Sequence, residues 1–154
     1  MKEVTLCFLL KENKICLALK KRGFGEGKMN GVGGKVEAGE TIEDAAVREL
    51  KEEVGVSAQS AHLEKMGSID FHFNDNPEWN QRMHVFLIKK WEGEPAESEE
   101  MAPVWHEQNN LPFDKMWIDD KHWLPKVLEG KKISAKFHFN NKGAEIDKFE
   151  IKEV

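Results

Sequence analysis

The sequence has few of the residues that build disulfide frameworks or zinc sites. Its 154 residues include only two cysteines. Cys7 and Cys16 lie in apolar runs and form no Cys-x-x-Cys pair, which favours buried free thiols. The six histidines are scattered and show no zinc-binding spacing. Unpaired thiols fit a reducing compartment, and we expect a cytoplasmic protein.

Long apolar runs and an excess of basic residues are also missing. The run 4–10 is too short to cross a bilayer and has no secretory pattern, so we expect no membrane association. The formal net charge of −5 argues against binding to a bare nucleic-acid polymer. A small phosphate ligand remains compatible with this charge if a divalent cation screens it. The length and the 40% hydrophobic content predict one globular domain, 1–154.

The hydrophobic pattern predicts an α/β protein. A glycine-rich loop at 23–34 precedes a helix that Thr41 caps, with Asp44 three residues later and Gly55 as its stop. Pro125 falls inside a second predicted helix and leaves that boundary open. Strands with helices between them indicate a sandwich around a mixed sheet. The predicted strands are 4–10, 15–19, 66–73, 83–89, 103–105, 133–139 and 145–151, and the predicted helices are 41–54 and 120–129, with a short turn in 111–117.

Residues 34–56 carry the strongest chemical signal in the chain. Their sequence, GKVEAGETIEDAAVRELKEEVGV, fits the pattern G-x5-E-x7-R-E-U-x-E-E-x-G-U, where U is apolar. Glu49, Glu52 and Glu53 stand at i, i+3 and i+4 and therefore share one helix face. Three carboxylates repel one another unless a cation lies among them, and an all-oxygen ligand set favours Mg²⁺ or Mn²⁺ over Zn²⁺. A solvated acidic face is the usual explanation of such a cluster, but the fixed residues around it favour a metal site.

Other residues of the same segment have predicted supporting roles. Arg48 is expected to pair with Asp44 and Glu52, one turn away on either side, and to orient a carboxylate. Gly33 and Gly34 let the loop backbone approach a metal or a phosphate closely. A separate apolar stripe is expected to face the core, and it consists of Val47, Leu50 and Val54.

The segment 34–56 resembles the box of the Nudix (MutT-like) hydrolase superfamily. The resemblance extends to the animal-type oxidised purine nucleoside triphosphatases and covers nearly the whole chain. It implies an α/β/α sandwich around a mixed sheet, and a monomeric enzyme of nucleotide-pool sanitation. The matching stretches outside the box are Lys20-Lys21-Arg22-Gly23-Phe24-Gly25, Asn30-Gly31, His84-Val85-Phe86, Glu97-Ser98-Glu99-Glu100-Met101, Pro112-Phe113, Met116-Trp117 and Asp119-Asp120.

The resemblance also implies a reaction and a set of site residues. The expected reaction is Mg²⁺-dependent hydrolysis of 8-oxo-dGTP and related purine triphosphates at the β-phosphorus, which releases the monophosphate and pyrophosphate. Glu53 is the expected general base or water-orienting group, and Arg48 supports it. The expected metal ligands are Gly34 through its carbonyl, Glu49, Glu52, Glu53 and Glu100. The expected substrate-binding residues are Asn30, Asp119 and Asp120 on the purine, Phe24, Phe71, Met101 and Trp117 in the pocket walls, and Thr5 and Lys20 at its floor and edge.

The base pocket can also be argued from chemistry. A guanine edge presents N–H donors beside the O6 acceptor, so one ionised and one protonated aspartate would complement it. Neighbouring buried carboxylates tend to share a proton, and we predict that Asp119 and Asp120 titrate as a pair. The alternative is that Asp120 caps the following helix and Asp119 is merely exposed. For Trp117, a core position is the alternative to stacking on a purine. The other tryptophans are expected to serve only in packing, namely Trp79, Trp91, Trp105 and Trp123.

Two departures from the family and two other functions stay open. Ile118 stands where the family has proline, and the loop 74–82 is about one residue longer, so the preferred base is undetermined. A Nudix hydrolase of another diphosphate compound is the first alternative. A noncatalytic nucleotide-binding module is the second, although such a module would not need three metal-binding glutamates.

Overall fold

The computed structural model describes residues 1–154 and contains one mixed β-sheet with two α-helices. The sheet has eight strands in the order β3-β2-β1-β5-β4-β7-β8, and β6 pairs with β2. The β1–β5 and β4–β7 pairs are parallel, and the remaining pairs are antiparallel. The elements are β1 Lys2–Lys11, β2 Lys14–Lys20, β3 Met29–Asn30, α1 Ile42–Val54, β4 Leu63–Phe73, β5 Gln81–Ile88, β6 Met101–Glu107, α2 Asp120–Leu128, β7 Ile133–Asn140 and β8 Glu145–Glu153.

The two helices cover opposite faces of this sheet. Successive side chains of a strand point to opposite faces, and the central strand β1 is buried on both. Its residue Phe8 packs in one core cluster with Trp123 of α2. Its residue Cys7 packs in a second cluster with Leu50 of α1, and Cys16 of β2 is buried there too. The predicted α/β/α sandwich is therefore confirmed.

Local signals set the position of α1. The Thr41 hydroxyl accepts a hydrogen bond of 3.1 Å from the Asp44 backbone N–H, as the sequence predicted. Gly55 ends the helix in the left-handed region at φ 70°. The apolar face differs from the prediction at one position, because Ala46 is fully buried and Val47 only half-buried. Thr41 and Gly55 thus fix the two ends of α1, and the buried apolar residues fix which face of the helix is turned toward the sheet.

The strands extend beyond their predicted limits, and some short elements were missed. β4 begins at Leu63 rather than at residue 66, and β6 runs over seven residues rather than three. The two-residue strand β3 lies inside the predicted glycine loop. Pro125 is accommodated within α2, which continues to Leu128. Neither helix has the length and apolarity needed to cross a bilayer.

Candidate metal centre and base pocket

The glycine loop before α1 lies directly against β1. The Thr5 backbone N–H donates to the Gly34 carbonyl over 2.9 Å, and Cys7 and Val32 exchange backbone hydrogen bonds nearby. A Cβ at Gly33 would stand 1.8 Å from the Thr5 carbonyl oxygen, and a Cβ at Gly34 would stand 2.5 Å from Glu49 Oε1. The backbone contact requires a glycine at position 33, whereas a side chain at position 34 would displace the Glu49 carboxylate. The loop consequently holds the Gly34 backbone beside the carboxylates of α1.

Two of the three box glutamates turn inward. The Glu49 side chain is only 12% exposed, whereas that of Glu52 is 59% exposed and contacts Arg48. Glu53 Oε2 is buried and has no hydrogen-bond partner. Burial and the neighbouring Glu49 charge raise the pKa of Glu53 to about 8, against a smaller lowering by Lys20. Glu49 and Glu53 therefore form a strained pair of acidic groups.

This inner pair fits a divalent cation. The pair offers only oxygen ligands, and the buried Oε2 of Glu53 lacks a hydrogen-bond partner. The Gly34 backbone lies beside Glu49. A bound cation would relieve the repulsion that raises the Glu53 pKa. The side chains do not form a closed cage on their own, since no three acidic, histidine or cysteine side chains converge in the molecule. Glu52 would have to turn inward to join the pair.

Arg48 organises the acidic residues around this pair. Its guanidinium binds Glu40 at 2.7 and 3.0 Å and Glu49 at 3.0 Å. The Glu52 contact, at 3.2 Å, was predicted. The predicted contact with Asp44 is wrong, because the guanidinium reaches back over the preceding loop and donates to the Lys35 carbonyl at 3.0 Å. Arg48 thereby ties the loop to the helix and fixes the Glu49 carboxylate.

Glu100 lies apart from the inner pair. Its carboxylate binds Arg22 at 3.0 Å and Lys20 at 3.6 Å. Arg22 lowers the pKa of Glu100. Lys20 also acts electrostatically on Glu53, so one lysine links the two acidic positions. The structure therefore places Glu100 at the edge of the acidic group, engaged by basic side chains.

One cavity of about 360 Å³ holds the residues expected to bind the base and reaches Gly33 and Gly34 of the loop before α1, although none of the glutamates lines it. It lies between the loop before α1, the loop before β3 and the start of α2. Every residue predicted to bind substrate lines it, namely Thr5, Lys20, Phe24, Asn30, Phe71, Met101, Trp117, Asp119 and Asp120. Lining residues that the sequence analysis missed include Lys28, Phe73, Gln81, Met83, Phe139 and Gly143. Strand alternation from Phe71 would have indicated Phe73, but the others depend on the packing of distant segments.

The Asp119–Asp120 pair is buried at the end of the cavity, with each residue 3% exposed. Asp119 Oδ2 accepts a hydrogen bond of 2.8 Å from Trp123 Nε1. Asp120 Oδ2 is buried without a partner. Burial raises the pKa of both carboxyls, and the charge of Asp119 raises that of Asp120 further. The alternative of a capping Asp120 and an exposed Asp119 is wrong, because both are buried and neither side chain caps α2.

Aromatic rings frame the mouth of the cavity. Phe24 stacks on Trp117, with ring centroids 5.3 Å apart and planes at 27°. Trp79 meets Phe24 edge-on at 5.2 Å and contacts Phe73 at 5.7 Å. Trp79 packs against the core, as expected, and its ring also contacts Phe24 and Phe73 beside the cavity. Ile118 packs against the core, so the departure from proline leaves the aspartate pair buried.

The sandwich and the glycine loop that leads into the acidic face of α1 define a Nudix-type domain. Residues 2–127 match the model of the NUDIX domain, and the chain belongs to this family. The resemblance inferred from the box is thereby confirmed.

Curated relatives and solved structures agree with this assignment. The chain is 46% identical over 138 residues to the oxidized purine nucleoside triphosphate hydrolase of Danio rerio, covering 90% of this chain and 86% of that protein. It is 43% identical over 150 residues to the Mus musculus protein of the same name, covering 97% and 94%. A MutT protein from Bacillus halodurans shares the fold, with a TM-score of 0.84 at 24% identity over 99% of this chain and 98% of that chain.

Proposed function

We propose that this protein is a Mg²⁺-dependent pyrophosphohydrolase of modified purine nucleoside triphosphates, of the 8-oxo-dGTP type. The products would be the nucleoside monophosphate and pyrophosphate. One observation carries the proposal: a single cavity contains the buried Asp119–Asp120 pair and reaches Gly34, whose loop lies beside Glu49. A base at one end would therefore place its phosphates toward the acidic face of α1. The names of the mouse and zebrafish relatives support the same substrate class.

The aspartate pair supplies the recognition of the base. Asp119, held by Trp123, is the natural ionised partner and would accept from the N1–H and N2–H₂ groups of a guanine. Asp120 has the more strongly raised pKa and would stay protonated, so it can donate to O6. Asn30 lines the same cavity and would contact the base, while Phe24, Phe71, Met101 and Trp117 would enclose its faces. Thr5 and Lys20 would line the sugar and phosphate side.

The residues of α1 supply the hydrolytic side of the site. Glu49, Glu52, Glu53 and the Gly34 carbonyl would hold Mg²⁺ or Mn²⁺, with Glu100 reaching in from the edge. The bound cation would offset the charge of the phosphate chain. Glu53 would orient the attacking water and accept its proton, with the bound cation relieving the repulsion from Glu49. Arg48 would keep Glu49 in place through its hydrogen bond.

The first test is pyrophosphate release with Mg²⁺ across unmodified dNTPs, oxidised and methylated purine dNTPs, and other Nudix substrates such as dinucleoside polyphosphates and nucleotide sugars. We expect the highest rates with modified purine triphosphates and loss of activity in Glu53→Gln. Activity confined to another diphosphate compound would retain the Nudix chemistry and overturn the base pocket at Asn30, Asp119 and Asp120. No turnover of any substrate would favour a binding module.

A second test addresses the position of attack. Hydrolysis in ¹⁸O-labelled water should place the label in pyrophosphate, as expected for attack at the β-phosphorus. Label found only in the monophosphate would reject this version of the mechanism. A monomeric state, a cytoplasmic location and a single domain spanning 1–154 complete the proposal, and gel filtration and cell fractionation would test the first two.

A further inference from the structure

Lys28 carries a positive charge into the base end of the cavity. Its Nζ lies 5.5 Å from the centroid of the Trp117 ring, over the indole, and its side chain lines the cavity. The backbone of the loop fixes this position, because the Lys28 N–H donates to the Gly25 carbonyl at 3.0 Å. The Lys28 carbonyl in turn accepts from the Lys20 N–H at 2.9 Å. The tight turn therefore fixes the backbone from which the Lys28 side chain enters the cavity.

The charge of Lys28 has no carboxylate bound to it. The preceding basic residues Lys20, Lys21 and Arg22 are all paired with the acidic segment 97–100, whereas Lys28 makes no ion pair. Asp119 and Asp120 line the same cavity, and they hold one negative charge when they share a proton. Lys28 lowers the pKa of Asp120, opposing the burial that raises it. The cavity thus contains both a cation without an ion pair and a buried pair of carboxyl groups.

We propose that Lys28 is a positioning residue of the base pocket, the counter-charge that favours the anionic, singly protonated form of the Asp119–Asp120 pair. This inference rests on the proposed function, since a pair holding one proton is the form that complements a guanine-type edge. Without the counter-charge, the pair would take up its second proton at a higher pH. The acceptor for the N1–H and N2–H₂ donors would then be lost under mildly acidic conditions.

Few other charges act on the pair. From α2 it receives the neutral Trp123 N–H, and the strands present the rings of Phe71, Phe73 and Phe139. Lys20 and Lys35 line the cavity toward its metal end. Lys121 follows the pair in sequence, but its side chain is exposed and it does not contribute to the pKa of either aspartate. Removing Lys28 should therefore change the protonation of the aspartate pair, and Lys121 provides a control matched in charge.

The experiment measures binding of 8-oxo-dGMP to the full chain in metal-free buffer from pH 5 to 9, by quenching of tryptophan fluorescence. The product is used because its binding needs no hydrolysis. The acidic limb of the binding curve is the pH range in which affinity falls as the pH is lowered. We expect Lys28→Met to shift this limb to higher pH by about 0.5–1 pH unit. Lys28→Arg should restore the wild-type limb, and Lys121→Met should leave it in place.

The outcomes separate this inference from the proposed function. If the wild-type protein binds 8-oxo-dGMP and the limb of Lys28→Met coincides with the wild-type limb, the counter-charge role is overturned and the proposed function stands. Equal shifts in Lys28→Met and Lys121→Met would also overturn it, because any nearby charge would then suffice. If the wild-type protein does not bind the nucleotide at any pH, both the proposed function and this inference fail.

Discussion

The indole N–H of Trp123 donates a 2.8 Å hydrogen bond to Oδ2 of Asp119, four residues earlier in the chain. Trp123 is fully buried and also packs against Phe8 of the central strand β1. A residue of the hydrophobic core therefore holds the carboxylate that faces the cavity. In the proposed function, the geometry of base recognition would in this way be coupled to the packing of α2 on the sheet.

Replacing this tryptophan with phenylalanine should weaken base binding more than catalysis. Trp123→Phe keeps an aromatic ring but leaves Asp119 without its donor. We expect KM for a modified purine triphosphate to rise about tenfold, with a stability loss of about 1–2 kcal/mol. Steady-state kinetics and urea unfolding measure the two effects. Trp91→Phe is the control, since Trp91 donates to the Gly93 carbonyl away from the cavity. An unchanged KM in Trp123→Phe would contradict the positioning role.

The stability of the metal-free protein should depend on pH through Glu53. Its folded pKa of about 8 lies above its ordinary value of 4.5. A raised pKa means that the protonated group stabilises the fold below pH 4.5, and that this contribution disappears as the pH rises through 8. Glu53→Gln cannot ionise, so it should exceed the wild type by about 1–3 kcal/mol at pH 9 and approach it at pH 4.5.

Urea unfolding in the presence of a chelator measures this difference at both pH values. Glu52→Gln removes a carboxylate from the same helix, but its side chain is largely in water. We expect the control to follow the pH dependence of the wild type. Identical curves for Glu53→Gln and the wild type would show that Glu53 is not strained in the free protein.

The contact between the glycine loop and β1 predicts a large effect of a single methyl group. In Gly33→Ala the new Cβ would overlap the Thr5 carbonyl oxygen, so the loop must shift. We expect a loss of about 2–3 kcal/mol in the free energy of unfolding. Gly27→Ala is the comparison, because its Cβ meets no neighbour within 4 Å and only its φ of +86° is unfavourable. That variant should lose about 1 kcal/mol, and equal losses in the two would argue against the steric explanation.

The exposed ring of Phe24 should matter for binding rather than for folding. Phe24 is 64% exposed and stacks on Trp117 at the cavity mouth. We expect Phe24→Ala to raise KM for purine triphosphates about three- to tenfold and to change stability by less than about 1 kcal/mol. Phe149→Ala removes another partly exposed, stacked phenylalanine, far along the chain on β8. The control should lose stability and keep its KM, and the reverse pattern would reject an aromatic wall at Phe24.

The helix α1, which carries the three glutamates, could be predicted from the sequence because its determinants are local. Thr41 and Gly55 fix the ends of α1, and the spacing of the glutamates fixes their common face. The partners of Arg48 were predicted only in part, since a long side chain can leave its own helix and bind a preceding loop. Glu40, eight residues away, provides the closer contact.

Some residues of the candidate base pocket could also be predicted from the sequence, whereas others depend on tertiary packing. The family resemblance indicated Asp119, Asp120 and Trp117, and these residues line one cavity. Lys28 carried no signal, because its position depends on loops that meet only after the sheet has formed. The role of Trp123 was missed for a different reason. A buried tryptophan is expected to pack in the core, and the hydrogen bond from its indole N–H to Asp119 becomes evident only from the structure.

The placement of the two thiols has a consequence for chemistry outside the cavity. Cys7 lies beneath α1 and Cys16 beside it, both fully enclosed. Burial raises the pKa of Cys16 to about 11 and that of Cys7 still higher, with the charges of Glu49 and Glu53 adding to the effect on Cys7. Oxidants attack the thiolate, which these residues barely populate at neutral pH. The folded protein should therefore resist inactivation by peroxide, the same kind of reagent that generates oxidised nucleotides.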